Sequence, residues 1–237
     1  MISKPVQTSE KMLTLIFVET ELETIPSSIK NHPQVIAYAE KRGKPATKLI
    51  LDSTYHHNAM RKLPDWKRRG RPDIIHRNLL LALDSWANQQ GLLDIYVHTR
   101  NDEIITVNPI VRLPKHYQRF LGLFEQLFEK GSISAEDTTL LSVKKQTIED
   151  LLRTLPTHSI LLSEEGKPTS LIPFFTKNQS VPLVVGIGSF PHDDFTVASA
   201  LFSEIISVGP IAFTASTITA KALCSFEEAN LQQQSKK

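Results

Sequence analysis

A chain of 237 residues, 41% of them hydrophobic, can bury a substantial core and is too apolar for wholesale disorder. Its one cysteine, Cys224, excludes an intrachain disulfide and suits a reducing compartment. The formal net charge of +2 excludes no class of partner, so the distribution of charge has to be read along the chain.

The first apolar stretch, Met12–Val18, is too short to span a bilayer and runs straight into Glu19. It is expected to be a buried strand, and with no secretory signal ahead of it the protein is expected to be cytoplasmic, without a membrane partner. A second strand is expected at Lys48–Leu51. Between Lys41 and Arg77 eleven Lys/Arg stand against three Asp/Glu, a local net of +8 that leaves −6 for the other 200 residues. A mildly acidic body with one basic region is the footprint of a polyanion binder, and equally of a solvated basic loop. Within it, "KRRGRPDIIH" (67–76) places Pro72 at a first helical position and Asp73 at the positive end of the helix dipole, four residues before Arg77. Asp73 can be purely structural, or can fix the Arg71 guanidinium for bidentate work on a phosphate or base edge. Lys67, Arg68 and Arg69 read as generic charge.

The helix opened by Pro72 is expected to reach Gln90, with Ile75, Leu79, Ala82, Leu83 and Trp86 on one face. Strands Leu93–His98 and Ile104–Val107 flank "TRND", a hairpin turn. A second amphipathic helix spans His116–Lys130, with Phe120, Leu123, Phe124, Leu127 and Phe128 inward. Lys115 and Arg119, four apart, share its outer face, Arg112 lies just upstream, and Tyr117 offers a stacking surface nearby. Helices are expected near Thr147–Thr154 and Ala215–Asn230, and strands at Ser159–Leu162, Val181–Gly186 and Glu204–Val208. Strands alternating with helices give an α/β domain with a largely parallel sheet. The stretch about 93–131 is a hairpin and helix elaboration of one domain spanning 1–237, and about 230–237 is a frayed tail.

Three of the late strands run into loops: "ILLSEEG", "LVVGIGSFPHDDF" and "ISVGPIAFT". The G-x-G at Gly186 and Gly188 is not a dinucleotide fingerprint, because the third glycine position holds Pro191 and no helix follows. These loops are either tight turns or the rim of a ligand site built from exposed backbone, since open α/β sheets bind ligands beyond the carboxyl ends of their strands. The histidines (His56, His57, His76, His98) lack metal-ligand spacing, and the adjacent pair on an extended segment points to opposite sides, so no metal is expected. No G-x-S-x-G is present, and Cys224 falls within a helix.

Four motifs in this order, "LDSTYHHNAM", "RGRPDIIH", "IYVHTRNDEIITVNPIVRLPKHYQRFLGLFEQLF" and "GIGSFPHDDF", resemble the small-subunit rRNA pseudouridine-N1-methyltransferases of ribosome biogenesis. The likeness covers about Met12 to Phe226 and lies nearer the short archaeal form. It implies a SPOUT-type α/β fold with a C-terminal trefoil knot, a homodimer, S-adenosylmethionine as methyl donor, and a small-subunit rRNA hairpin loop as substrate. By resemblance the cofactor site takes Leu162, then Gly186, Gly188, Pro191 and His192, then Ile206, Ser207, Val208, Gly209, Pro210 and Ile211. The RNA contacts fall on Arg71, Arg112, Lys115 and Arg119, with Asp73 holding Arg71. Lys115 stands where the family usually has Arg and lacks the guanidinium fork. Asp193 stands where archaeal relatives often have Gly, although a left-handed backbone is harder for Asp.

The implied reaction is methyl transfer to N1 of a pseudouridine. Asp73 is either the general base or the residue that orients Arg71. Orientation is favoured, because pairing with arginine lowers a carboxylate's pKa and makes it a poor base. Two rival readings stand beside this one: an assembly factor that acts by binding rRNA, which needs the same basic surface, and a SPOUT methyltransferase with another RNA target, which needs the same cofactor loops but not the Arg71/Asp73 pairing.

Overall fold

The computed structural model describes residues 11–234. Its central strand, β1 (Leu13–Thr20), is buried along all eight residues, as a strand covered on both faces must be. Leu13, Leu15 and Phe17 enter the larger core cluster, while Ile16 and Val18 enter a separate one on the opposite face. The strand is followed by α1 (Pro33–Arg42), α2 (Ser53–Met60), α3 (Pro72–Asp84) and α4 (Trp86–Gln89). Then come β2 (Leu93–Thr99), β3 (Glu103–Val107), α5 (Tyr117–Lys130), β4 (Ser132–Ala135), β5 (Thr138–Lys145) and α6 (Ile148–Leu152). The last elements are β6 (Ser159–Pro168), α7 (Leu171–Lys177), β7 (Leu183–Gly188), β8 (Glu204–Ser207) and α8 (Ala215–Gln234).

All eight strands form one sheet in the order β4-β5-β3-β2-β1-β7-β6-β8. Strand β1 pairs in parallel with β2 (Leu13↔Leu93) and with β7 (Leu13↔Leu183), and β6 pairs in parallel with both β7 and β8. The expected α/β architecture is present, but the sheet is mixed rather than largely parallel: four neighbouring pairs are parallel and three are antiparallel. The antiparallel part begins at β3 and continues through β5 and β4. Strand β2 thus belongs to the parallel core, and the elaboration reaches Lys145 instead of stopping at 131.

Several local expectations change. Lys48–Leu51 forms no strand: it holds the end of a 3-10 turn and a single bridge, Thr24↔Ile50. The pair His56-His57 lies on helix α2, whose N-cap Asp52 accepts from the Thr54 N–H, and not on an extended segment. The long helix from Pro72 breaks at Ser85, whose extended backbone starts α4 and whose hydroxyl accepts from the Asn88 N–H. Helix α5 begins at Tyr117, so Lys115 precedes it instead of sharing its outer face with Arg119. The "TRND" turn is present, with Asp102 left-handed at φ 50. Helix α8 continues to Gln234, through the first part of the stretch expected to fray, and the remainder lies outside the described residues.

Candidate active site

Because β7, β6 and β8 are parallel neighbours, the segments beyond their buried stretches gather at one edge of the sheet. They enclose a cavity of about 320 Å³. Of the residues expected there, Leu162, Gly188, Pro191, His192, Ser207, Val208, Gly209 and Ile211 line it. Gly186, Ile206 and Pro210 do not. A Cβ at Gly186 would stand 2.5 Å from the Phe202 ring, so that glycine serves packing. Ile206 is buried in the core, and Pro210 sits exposed in the loop after β8. The wall also includes Glu164, Phe190, Phe195, Phe213 and Ile218, which the sequence reading missed.

The glycines at the rim allow aromatic rings to fold over the loops. A Cβ at Gly188 would come within 2.8 Å of Phe190, and one at Gly209 within 2.5 Å of Phe213. Asp193 takes the left-handed backbone at φ 72. The loop conformation is thus kept at a position where glycine would adopt it with less strain. The His192 ring turns outward: its Nε2–H donates to the Lys67 carbonyl (3.0 Å) and its Nδ1 faces Asp193.

A second, smaller cavity of about 130 Å³ adjoins the first. Both share Phe190, Pro191, Phe213 and Ala215 as wall, and the smaller one adds Arg71 and Asn78. Asn78 is fully buried, with neither amide atom hydrogen-bonded. Arg71, the N-cap of α3, donates Nε–H to Asp73 Oδ1 (2.7 Å) and Nη2–H to Oδ2 (3.0 Å). Arg77 donates to the same Oδ2 at 2.7 Å. Burial pushes the Asp73 carboxyl up, but the bonds and charges of Arg71 and Arg77 outweigh it and hold the group below the usual carboxylate range. A carboxylate held so is a weak proton acceptor.

The neighbouring arginines are not generic charge. Arg68 and Arg69 are buried. Arg68 pairs with Glu19 (2.6 Å) and Glu21 (3.0 Å), and Arg69 binds Glu23 through both Nε and Nη2. Burial alone would raise Glu19, yet the N–H groups of Val197, Thr196 and Ala198 and the charge of Arg68 bring its pKa below the ordinary value. Glu21 goes the other way: burial raises it despite Arg100 and Arg68.

Arg112, Lys115 and Arg119 are exposed, and none has a carboxylate within ion-pair distance among the described residues. Arg112 and Lys115 border an apolar groove of about 850 Å³ between α3 and α8. Tyr117, expected as a stacking surface, is half-buried and held in place by its neighbours. Its hydroxyl donates to Asp52 (2.6 Å) and its ring lies against His76 and Phe120. The histidines serve structure. Burial lowers His56 to about 4, with Nδ1 accepting the Asp52 N–H. His76 donates to the Pro114 carbonyl, and His98 Nδ1 accepts the Glu19 N–H. Among the described residues no three His, Cys, Asp or Glu side chains group as a metal site.

Comparison with known proteins matches residues 15–227 to a family described as EMG1/NEP1 methyltransferase. A Thermococcus kodakarensis protein named ribosomal RNA small subunit methyltransferase Nep1 is 50% identical over 188 residues, covering 78% of this chain and 84% of that one. Its namesake from Thermococcus onnurineus is 41% identical, covering 91% and 98%. A crystal structure of Archaeoglobus fulgidus Nep1 bound to S-adenosylhomocysteine superposes with a TM-score of 0.84 at 38% identity, covering 92% and 98%.

Proposed function

The chain belongs to the EMG1/NEP1 methyltransferase family, and we propose that it transfers a methyl group from S-adenosylmethionine to N1 of a pseudouridine in a small-subunit rRNA hairpin loop. Methylation of small-subunit rRNA with this donor rests on the family, the relatives' names and the S-adenosylhomocysteine in the Archaeoglobus neighbour. Pseudouridine N1 as acceptor is the finer part of the reading, and it rests on the motif resemblance.

The observation that carries the site is the shared wall: Phe190, Pro191, Phe213 and Ala215 separate the strand-end cavity from the smaller one beside Arg71. The first cavity fits the cofactor's chemistry, with loop backbone for polar groups and three phenylalanine rings against a planar base. Bound there, S-adenosylmethionine supplies a methyl already activated on sulfonium, so alignment is the chain's main task. Leu162, Gly188, Pro191 and the stretch Ser207–Gly209 hold the donor through backbone groups, while the rings exclude water.

Asp73 fixes Arg71, whose remaining N–H groups are free to grip RNA. Since Asp73 already accepts from two guanidinium groups, its role is orientation rather than proton abstraction. The N1–CH3 bond forms as the S–CH3 bond breaks, S-adenosylhomocysteine leaves, and the N1 proton passes to solvent water. Arg112, Lys115 and Arg119 bind loop phosphates, and the target base enters the smaller cavity unstacked. The same reading makes the protein a cytoplasmic homodimer with a C-terminal trefoil knot. The groove between α3 and α8, where Leu81 is 41% exposed, supports pairing through that face. No described helix is long and apolar enough to cross a membrane.

The test is methyl transfer to matched hairpin RNAs carrying uridine or pseudouridine at one loop position. Methylation of the pseudouridine hairpin alone is the expected result. Equal methylation of both would overturn the acceptor assignment, and tight binding without turnover would favour a role in assembly by binding.

A further inference from the structure

Arg68 is buried, two residues from Gly70 and three from Arg71, and every side of its guanidinium is engaged. Nη2 reaches Glu19 (2.6 Å), Nε reaches Glu21 (3.0 Å), and Nη1 donates to the Asp194 carbonyl (2.5 Å). The flat of the group lies 3.8 Å from the centre of the Phe190 ring, within cation–π range. Phe190 and Asp194 belong to the loop that walls the cofactor cavity, and Phe190 is also wall to the cavity beside Arg71.

Glu19 anchors the far end of that loop. Its carboxylate accepts the N–H groups of Thr196, Val197 and Ala198 at 2.9–3.0 Å. Its own backbone is left-handed at φ 51, with its N–H bonded to His98. A non-glycine residue keeps such a backbone only where surrounding contacts over-determine it, and such residues gather at functional sites. From the loop side, His192 donates to the Lys67 carbonyl. The segment 67–71 is therefore a strap that grips the loop 190–198 at one end and delivers Arg71 to the mouth of α3 at the other, where the Arg71 N–H is fixed on the Glu21 carbonyl.

We propose that Arg68 is a positioning residue that fixes the cofactor loop on the strap carrying Arg71, so that methyl donor and RNA bind with positive coupling. The inference rests on the proposed function and adds to it the element through which the two sites communicate. By linkage, each ligand must tighten the other by the same factor.

The experiment is calorimetry of S-adenosylhomocysteine binding with and without the pseudouridine hairpin, for wild type, Arg68→Lys and the double variant Glu19→Gln/Arg68→Met. Lysine keeps the charge beside Glu19 and Glu21 but cannot also reach Asp194 and cover the Phe190 ring. The double variant leaves no carboxylate stranded, since Glu21 retains Arg100. In wild type the hairpin should tighten cofactor binding by about tenfold, a usual size for coupling between sites. Both variants should weaken cofactor binding by about tenfold and abolish the coupling, with hairpin affinity in the absence of cofactor unchanged within about twofold.

Unchanged cofactor affinity and coupling in both variants would overturn the proposal. So would a parallel loss of cofactor affinity, cofactor-free hairpin affinity and melting temperature, which would mark Arg68 as merely structural. A wild-type protein that binds no S-adenosylhomocysteine would overturn the proposed function itself, and the wild-type arm shows this before any variant is made.

Discussion

Arg69 and Arg71 stand two residues apart and meet opposite fates. The Arg69 side chain is 9% exposed and locked on Glu23, whereas the Arg71 side chain is 34% exposed and held by Asp73 at the mouth of α3. The difference lies in the partner's origin. Glu23 follows the central strand and meets Arg69 across 46 positions of sequence, in a place closed to water. Asp73 is supplied locally, two residues on, at a surface. A guanidinium whose carboxylate comes from the core closes the fold. One whose carboxylate comes from its own turn is left with donors to spare.

The largest effect should come from breaking the inward member. Among the described residues, Arg69→Met leaves Glu23 buried with only the longer contact to Arg100 (3.8 Å). The loss should therefore approach the lower end of the about 3–5 kcal/mol that removing one member of a buried pair costs. Urea unfolding should show that loss, and Arg69→Lys should recover part of it. A change below about 1 kcal/mol would place Arg69 with surface pairs and dissolve the contrast.

Arg71→Ala should do the reverse. Unfolding stability should change by less than about 1 kcal/mol, because the lost pair is half-exposed and Asp73 keeps Arg77. Hairpin affinity should fall about ten- to a hundredfold, the weight of charge-assisted bonds to a phosphate or base edge. Cofactor affinity without RNA should stay close to wild type. Fluorescence titration with hairpin and calorimetry with S-adenosylhomocysteine separate the two. Equal loss of both would mean that Arg71 braces the site rather than meeting RNA.

Asp73→Asn sharpens the outward side. If Asp73 orients Arg71, RNA binding should weaken several-fold, within about 1 kcal/mol, while turnover at saturating RNA persists. Its carboxyl lies below the ordinary carboxylate range, raised by burial but lowered further by Arg71 and Arg77. It is therefore ionised throughout the neutral range, and the charge is lost only as pH falls through that depressed value. The pH profile of kcat should accordingly have the same shape in wild type and Asp73→Asn. Normal RNA binding with slow turnover, and an acid limb that vanishes in the variant, would instead make Asp73 the base.

The architecture was legible where buried strands and amphipathic helices carry their own period: β1, β2, β3, β6, β7, β8, α5 and α8 lie where apolar runs place them. Helices α1 and α2 were missed because they are short and mostly polar, although Pro33 at the start and left-handed Gly43 at the end of α1 were available as signals. Strands β4 and β5 were missed because an exposed edge hairpin of Ser and Thr carries little apolar alternation. Among the site residues, the loops after β7 and β8 were legible because strands ran into glycine, whereas the loop expected at Ser163–Gly166 is a continuation of β6 to Pro168. The aromatic wall of Phe190, Phe195 and Phe213 was not, since nothing local tells whether a loop ring folds over a cavity. The charge count misled most. Arg42 and Lys44 meet Glu125, Lys48 meets Glu129, and Arg68 and Arg69 meet the carboxylates at and beyond the end of β1. A local net of +8 thus shrinks once distant carboxylates are brought home, and only the fold brings them home.

The cations left over are the ones to test by salt. Lys115 is exposed, unpaired by any carboxylate among the described residues, and placed just ahead of α5. Each cation that neutralises a phosphate releases counterions, so Lys115→Ala should lower the slope of log affinity against log salt by about 1. The loss should be uniform across hairpins of different loop sequence, because a lysine meets a phosphate as a point charge. Lys115→Arg should restore the slope, and any gain in affinity beyond wild type would measure what the guanidinium fork adds at this position. Lys67 is the internal control: it is exposed and basic, but its side chain lines neither cavity. Lys67→Ala should change the slope by clearly less than about 1, the signature of attraction without contact. If the two variants shift the slope equally, RNA is held by a diffuse field, and the distinction between paired and unpaired cations has no bearing on where it binds.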